Sequence, residues 1–449
     1  MAHEDISRQL KTEDKNVTDL QKEASLSSLP VETLEQIFMF LSKEDLLQAM
    51  SVCTSWKSVI VSSPNLWKKQ TFVLDCTLRT TKKIKTDLLF CFQNFGPHCQ
   101  TLSVKCRHPC LHDCQKMANR FNLFLTFLVM PRVTSFKVSN LRMECAKGLV
   151  MKSIANKLTK MFARHPPLNA FEMSSAHWTI PEGQKVLDAV FKKSRNTLET
   201  LRMEEYFVYP SRRQKDLDWL STGLTSLTKL TKLCINFFYL TDEIIVSLAS
   251  SRRGELTCLS LLLKAVSPQI SRIQQASWIY LAEACPDVEV EFNIMGNVYK
   301  PSVSLPALLD PVLPVCRLKM IISKILFYST RRHGYKMAIV FDHIRDHYGQ
   351  SIRSFKLSLP EHKENFDQSL IKLVQSCPRL VHVKVSASFH SQKTAKRIEQ
   401  IVAERLELAP TSNGRYNKKV CTDSNGVGKA SQLEDTMEGP SGFQGASQQ

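Results

Sequence analysis

The sequence of 449 residues is long enough for a large domain and a small one, and 43% hydrophobic with 23% charged residues excludes a fibrous or wholly disordered protein. The net charge is +18, and the excess lies in residues 71–410, because residues 1–25 carry two more acidic than basic groups while residues 26–70 and 411–449 are balanced. A basic middle region favours either an acidic or phosphorylated partner or a surface that is basic only for solubility.

The first segment, residues 1–25, is predicted to be disordered and lacks the apolar core of a secretory signal. The longest strongly apolar run, residues 121–130, is too short to cross a bilayer, so no membrane association is expected. We therefore expect a location in the cytoplasm, the nucleus or both. In these reducing compartments the 14 cysteines are expected to be free thiols.

Three short helices are predicted between Leu29 and Trp67. Pro30 suits the first turn of the first helix, where its missing N–H costs no hydrogen bond. Apolar residues then recur at helical spacing, in the first helix at Leu34, Ile37, Phe38 and Leu41, in the second at Leu46 and Leu47, and in the third at Val52 and Trp56. A unit this small cannot bury all of these side chains within itself. The surplus predicts packing against the rest of the chain or against another protein.

Residues 29–59, LPVETLEQIFMFLSKEDLLQAMSVCTSWKSV, together with the Leu66-Trp67 pair, resemble the F-box. The resemblance implies an F-box over residues 26–70 that docks on the Skp1 adaptor of a cullin-RING ubiquitin ligase, with Pro30, Ile37, Phe38 and Leu41 against Skp1. The full set of residues expected to bind Skp1 is Leu29, Pro30, Leu34, Ile37, Phe38, Leu41, Leu46, Leu47, Val52, Cys53, Trp56, Leu66 and Trp67. The alternative is that these helices are only the first layer of a larger domain.

Beyond a connecting segment at residues 71–95, a strand phrase with apolar residues at i, i+3 and i+5 recurs within residues 96–410. Its copies are CQTLSV (99–104), VTSFKV (133–138), LETLRM (198–203), LTKLCI (230–235), LTCLSL (256–261), IRSFKL (352–357) and LVHVKV (380–385). Several successive copies lie 26 to 34 residues apart, the spacing of leucine-rich repeats, which stack a strand and a returning helix. With the F-box, this pattern resembles F-box-only proteins that carry a degenerate leucine-rich-repeat region.

The segments between the strand phrases fit helices. Thr241 is a predicted helix N-cap, Ile244, Ile245 and Leu248 share one helix face, and Gly254 ends the segment. Residues 296–316 interrupt the repeat with four prolines. Residues 411–449 contain few apolar groups and are predicted to be a disordered tail.

Two clusters contain residue types that bind metals. The first consists of Cys106, His108, Cys110, His112 and Cys114. On a straight strand these side chains would stand about 7 Å apart, too far for bonds of about 2.0–2.3 Å to one ion, and Pro109 opposes a helix, so only a curled loop could bring them together. The second consists of Asp342, His343, Asp346 and His347, which fit a solvated helix face better than a metal site. No metal site is predicted.

Motifs for catalysis or nucleotide binding are not recognised. Gly426, Gly428 and Lys429 echo a phosphate loop, but Asp423 stands at the leading glycine and Ala430 at the Ser/Thr position. The sequence contains no nucleophile elbow, zinc-protease motif or paired carboxylates in a recognisable setting. No catalytic residue and no cofactor is therefore predicted.

The expected fold class is α+β: a small three-helix F-box followed by an irregular leucine-rich-repeat α/β solenoid. The resemblance implies a non-catalytic substrate-recognition subunit of an SCF (Skp1-cullin-F-box) ligase. Its expected partners are Skp1, through it cullin-1 and a RING subunit, and an unknown protein substrate that is acidic or phosphorylated. One alternative is a Skp1-bound scaffold or regulator without a degradative role. Another is a basic solenoid that binds nucleic acid, which is disfavoured because no Lys/Arg cluster with interleaved aromatics is present.

Overall fold

The computed structural model describes most of the chain. The described residues are 29–41, 43–76, 96–108, 113–128, 132–208, 218–251, 254–266, 273–299, 301–326, 337–359, 364–408 and 421–422. The chain divides into two compact units. The first comprises Met1–Leu263, Gln269–Asn293 and Leu308–Val315, and the second comprises Lys264–Pro268, Ile294–Ala307 and Cys316–Gln449. Within the described ranges, no helix has the length and apolar character needed to span a bilayer.

Four short helices open the first unit, one more than the sequence predicts. They are α1 (Val31–Phe38), α2 (Lys43–Ala49), α3 (Thr54–Ser62) and α4 (Pro64–Trp67). Pro30 precedes α1 and its carbonyl accepts from Leu34 N at 3.0 Å, so the imino acid occupies the turn where no N–H is needed. Cys53 precedes α3, and its Sγ accepts from Trp56 N at 3.4 Å.

A run of parallel strands and helices fills the rest of the first unit. The strands are β1 (Lys69–Asp75), β2 (Thr101–Arg107), β3 (Ser135–Ser139), β4 (Ala170–Ser174), β5 (Thr200–Arg202), β6 (Lys232–Asn236) and β7 (Cys258–Val266). The helices are α5 (Cys114–Phe127), α6 (Gly148–Arg164), α7 (Ile180–Ser194), α8 (Asp218–Ser226), α9 (Asp242–Ser251) and α10 (Gln275–Ala284). From β1 to β7, each strand pairs in parallel with the next in sequence order.

The register of these strands builds the core row by row. Residues at the i+3 position of the strand phrase are Cα partners across six strands and are all fully buried: Leu102, Phe136, Phe171, Leu201, Leu233 and Leu259. A single strand and helix cannot cover such a row, so stacking of neighbours supplies the burial.

The second unit repeats the arrangement. Its strands are β9 (Val315–Leu326), β10 (Ser354–Leu359), β11 (His382–Ala387) and β12 (Cys421–Thr422), and its helices are α12 (Met337–Tyr348), α13 (Asp367–Ser376) and α14 (Gln392–Leu408). These strands also pair in parallel in sequence order, with Leu318, Phe355 and Val383 in one buried row. Four of the described elements have residues in both units: β7, β8 (Glu289–Tyr299), α11 (Pro301–Leu308) and β9.

The repeat prediction is confirmed, with additions. Each of the seven strand phrases forms a strand, and Thr241 Oγ1 accepts from Ile244 N at 3.2 Å at the start of α9. Five further strands were not among the seven phrases: β1 lies mostly within the range assigned to a connecting segment, β4, β8 and β9 belong to the repeats, and β12 lies in the predicted tail. The proline-rich interruption contains α11, with Pro306 inside it. Within the predicted tail, β12 pairs with Lys384 and Val385 of β11, and the rest lies outside the described residues.

Candidate functional site

The N-terminal helices bury one set of apolar side chains. Leu34 and Phe38 of α1 are 1% and 2% exposed, and Leu46, Ile60 and Trp67 are equally covered by the neighbouring helices. The ring of Phe38 meets that of Trp56 edge to face, with centroids 5.3 Å apart. Asn65 Nδ2 donates to Glu35 Oε1 at 3.0 Å and ties α4 to α1. These contacts give the small unit a core of its own.

A second set of apolar side chains remains outside this core. We call it the apolar surface, and its members are Val31, Ile37, Met39, Phe40, Leu41, Leu47 and Val52. Phe40 is 89% exposed, Val52 63% and Met39 60%. Seven exposed large apolar side chains within residues 31–52 are more than a small unit usually leaves in water, which is typical of a protein interaction surface.

Comparison with known proteins identifies the N-terminal unit. Residues 26–73 match the family model described as F-box-like. The chain thus carries an F-box-like domain, followed by a region of strand-and-helix repeats. The F-box-like domain thus covers α1 to α4 and reaches into β1, slightly beyond the predicted boundary at residue 70.

One curated relative supports the same organisation. The chain is 23% identical over 268 residues to F-box/LRR-repeat protein 21 of Mus musculus, an alignment that covers 59% of this chain and 58% of that protein. The chain therefore spans a little over half the length of this relative. The tropomodulin C-terminal domain of Caenorhabditis elegans is also similar, with 15% identity over 43% of this chain and 95% of that one. Its TM-score of 0.22 is too low to indicate a shared fold.

The structure divides the predicted Skp1-binding residues of the F-box-like domain into three groups. Pro30, Ile37, Leu41, Leu47 and Val52 are exposed; Leu29, Cys53, Trp56 and Leu66 are half-buried; Leu34, Phe38, Leu46 and Trp67 are buried. Phe38, which was expected against Skp1, packs its ring against Trp56 inside the domain. Binding of Skp1 by the thirteen residues stays a prediction.

Three exposed apolar residues were missed by the helical-periodicity argument: Val31, Met39 and Phe40. Periodicity selects positions that share one helix face, whereas α1 ends at Phe38 and leaves Met39 and Phe40 in the following turn. The signal that could have found them is the run IFMFL at residues 37–41, since five consecutive apolar side chains cannot share one helix face.

The residues of the first candidate metal cluster, in the first unit, are placed in other surroundings. Cys106 is buried in β2, and burial raises the pKa of its thiol. Burial also raises the pKa of Cys114 to about 12. The ring nitrogen Nε2 of His108 lies 2.8 Å from the carbonyl oxygen of Asn140, and burial lowers the pKa of His108. Cys110 and His112 lie outside the described residues.

In the second unit, the predicted helix-face cluster lies on α12. Arg345 binds Asp342 and Asp346 there, at 2.6 and 2.8 Å, while the rings of His343 and His347 are 4.5 Å apart. Over all the residues that the structure describes, no group of three or more His, Cys, Asp or Glu side chains is arranged to hold a metal ion.

Sequence reasoning also missed a half-buried network in the loops that follow β3, β4 and β5. His177 Nδ1 lies 2.7 Å from Glu144 Oε2, and His177 Nε2 lies 3.9 Å from Glu205 Oε1. Arg142 Nε donates to Glu144 Oε1 at 3.2 Å, and Ser175 Oγ donates to Glu205 Oε2 at 2.7 Å. No periodic signal marks these residues, because they come from three different turns of the solenoid.

The charges of this network shift the pKa values of His177 and Glu144. Burial by itself would lower the pKa of His177, but hydrogen bonds to Glu144 and Glu205 outweigh it and raise the pKa. Burial by itself would raise the pKa of Glu144, but the hydrogen bond and charge of His177 lower it to about 2. Because Ser175 donates to Glu205, the arrangement is an ion-pair network around an imidazole, and it presents no serine activated by a histidine.

Proposed function

We propose that this protein is a non-catalytic substrate-recognition subunit of an SCF-type ubiquitin ligase, which docks Skp1 through the F-box-like domain and holds a protein target on its repeats. The apolar surface of the F-box-like domain carries the proposal. It exposes Phe40, Met39 and Val52 to water although the same helices bury Leu34 and Phe38. The hydrophobic effect favours covering such a surface with a partner.

The mechanism proposed is proximity. Binding of Skp1 would link the chain to cullin-1 and a RING subunit, and the target held on the repeats would then meet the ubiquitin-loaded enzyme at a high effective concentration. The chain itself would contribute no catalytic group and no cofactor. We also propose that it acts in the cytoplasm, the nucleus or both.

The docking surface can be tested by co-purification of the full chain with Skp1. The double variant Phe40→Asp/Val52→Asp introduces charges on the apolar surface without touching the buried core. We expect the amount of Skp1 that co-purifies to fall at least about tenfold, because burying an unpaired carboxylate at an interface is strongly unfavourable.

The matched control is Leu149→Asp, which places the same charge on an apolar side chain that is 83% exposed on α6 of the repeats. Skp1 should bind this variant as it binds the unaltered chain. Equal Skp1 binding by all three proteins would contradict the proposed docking surface. Retention of cullin-1 without any protein that accumulates on inhibition of neddylation would favour a scaffold or regulator.

A further inference from the structure

The solvent-facing sides of α5, α6 and α7 form one surface of the first unit. The three helices lie side by side, with α6 between the other two. Lys157 Nζ of α6 donates to the carbonyl oxygen of Asn122 in α5 at 2.9 Å, and Lys185 Nζ of α7 donates to Asn156 Oδ1 of α6 at 2.6 Å. These hydrogen bonds tie the outer sides of the three helices together.

Basic side chains dominate this surface. Its exposed basic residues, which we call the basic helix face, are Lys116, Lys152, Lys160, Arg164, Lys185, Lys192 and Lys193. Asp188 is the one exposed acidic residue on these three helices, all of whose residues the structure describes. Except for Lys116, which binds Asp113 at 2.8 Å, no member of the basic helix face belongs to an ion pair between described residues.

The next helices of the first unit carry the opposite charge. Neither α8, α9 nor α10 contains Lys or Arg, and the exposed Glu243 and Glu283 lie on α9 and α10. Like charges grouped on a helix surface repel one another, so a surface needed only for solubility would mix both signs. The separation of charge along the repeats therefore indicates an anionic partner for the basic helix face.

The dimensions of the basic helix face fit a double helix of DNA. Lys152, Lys160 and Arg164 follow one line along α6, over about 18 Å at a rise of about 1.5 Å per residue. Lys185 and Lys192 follow a second line on α7, and the axes of packed helices are about 8–10 Å apart. The major groove of B-form DNA is about 12 Å wide, so the phosphates on its two sides can meet the two lines. An extended acidic peptide would reach only one of them.

Other polyanions fit this surface less well. The aromatic residues of the three helices are buried or half-buried, so no ring is offered for stacking with the bases of a single strand. Among the described residues of these helices, Leu149 is the only exposed large apolar one, which is too little apolar area for stable insertion into a membrane. The major groove of an RNA duplex is narrow, so its two backbones do not match the spacing of the two lines.

We infer that the basic helix face binds double-stranded DNA through its phosphates, with Lys152, Lys160 and Lys192 as contact residues. Contacts to phosphates position a duplex without reading its bases, so this binding is independent of the DNA sequence. The inference goes beyond the proposed ligase role. It does not depend on that role, because the apolar surface of the F-box-like domain contains none of these residues.

The test is fluorescence anisotropy of a labelled DNA duplex with the full chain at increasing salt. With about four phosphate contacts, we expect the affinity to fall on the order of 100-fold between about 50 and 200 mM salt. The triple variant Lys152→Gln/Lys160→Gln/Lys192→Gln should bind at least about tenfold more weakly at the lower salt and lose most of this salt dependence, because each substitution removes one phosphate contact. Its melting temperature should be unchanged, since glutamine favours helices about as well as lysine.

The matched control is Lys393→Gln/Lys396→Gln/Arg397→Gln, which removes the same charge from exposed positions on α14 of the second unit. We expect it to bind the duplex within about twofold of the unaltered chain at physiological salt, where distant charges are screened. Failure of the unaltered chain to bind the duplex at low salt would overturn the inference, and so would equal losses in the two triple variants. Stronger competition by an RNA duplex, a polyglutamate peptide or phosphatidylserine vesicles than by unlabelled DNA would overturn it as well.

Skp1 docking is scored separately from DNA binding. The triple variant of the basic helix face should co-purify with Skp1 as the unaltered chain does, because the apolar surface is left intact. A chain that binds Skp1 but no DNA would therefore overturn this inference and leave the proposed ligase role standing.

Discussion

At the scale of single residues, the pairing of His177 with Glu144 links stability to pH. His177 has a raised pKa, so its contribution to the free energy of unfolding is complete below its ordinary value of 6.5 and is lost as the pH rises through the raised value. Glu144 has its pKa lowered from 4.5 to about 2, so its contribution is complete above 4.5 and is lost as the pH falls through 2. The pair therefore stabilises the first unit most between these two ordinary values.

The variant His177→Gln tests this pH dependence. Glutamine keeps a hydrogen-bond donor but cannot carry the positive charge that pairs with Glu144 and Glu205. We expect a loss of about 1–3 kcal/mol in the free energy of unfolding at about pH 5.5, and a clearly smaller loss at about pH 8.5. Thermal unfolding of both proteins across this pH range measures the difference.

The variant His165→Gln provides a control, because the pH dependence of its destabilisation is expected to have the opposite sign. Burial lowers the pKa of His165, so its neutral form is favoured and its contribution is lost as the pH falls. The destabilisation caused by His165→Gln is therefore expected to shrink towards acidic pH. A His177→Gln effect that is the same at both pH values would contradict the role of the ion pair.

At the scale of elements, α7 packs closely on the loop after β5 at a glycine. A Cβ atom added at Gly183 would lie 2.5 Å from Phe207 Cε1, 2.9 Å from Trp178 Cβ and 3.0 Å from Tyr206 Cε1. Tyr206 also donates its hydroxyl hydrogen to the carbonyl oxygen of Gly183 at 3.0 Å. The absence of a side chain is what allows the helix to approach these three aromatic residues.

The substitution Gly183→Ala should therefore destabilise the protein although alanine favours helices. We expect a loss of about 1–3 kcal/mol from overpacking, seen as a lower melting temperature. Gly148→Ala is the matched control, because Gly148 also lies in a helix and an added Cβ would meet nothing within 4 Å. The control should leave stability unchanged or raise it by up to about 1 kcal/mol. Equal melting temperatures for the two variants would show that close packing is not the reason why glycine stands at position 183.

Most of the strands could be predicted from the spacing of apolar residues in the sequence. Apolar residues at i+3 and i+5 of the phrase alternate along a strand, so the seven phrases revealed which side of each strand is buried. Leu168, just before β4, and Phe171 and Met173 within β4 have the same i, i+3, i+5 spacing and were overlooked. In β1, Phe72 and Leu74 also alternate, but Gln70 takes the buried position of the preceding row, which breaks the apolar phrase.

At the scale of the whole molecule, the F-box-like domain continues directly into the sheet of the first unit. The carbonyl of Lys68 accepts from Gln100 N and Thr101 N at 2.9 Å, and β1 pairs with β2 along its entire length. Phe72 of β1 packs on Phe124 of α5, with ring centroids 5.5 Å apart. β1 therefore covers the first edge of the repeats, as a terminal repeat must in a solenoid.

Deletion of residues 1–75 should expose this edge. We expect the shortened chain to aggregate or to lose cooperative melting, because β2 would present unpaired backbone groups and Phe124 would lose its cover. Deletion of residues 1–28 alone is the control, since it leaves α1 to α4 and β1 in place and should preserve the melting temperature. Light scattering and thermal unfolding distinguish the two chains. A monomeric 1–75 deletion with an unchanged melting temperature would contradict a capping role for β1.

The sequence by itself determined the F-box-like domain, the parallel repeats and the cap at Thr241, because each depends on apolar spacing or a local hydrogen bond. Only the tertiary structure decided that Phe38 is covered while Phe40 faces water, since helix packing and the end of α1 control which side chains are covered. It also decided that Lys152 and Lys160 of α6 share one surface with Lys192 of α7. Residues this far apart in the chain become neighbours through strand register, and that register depends on how each returning helix packs against the next.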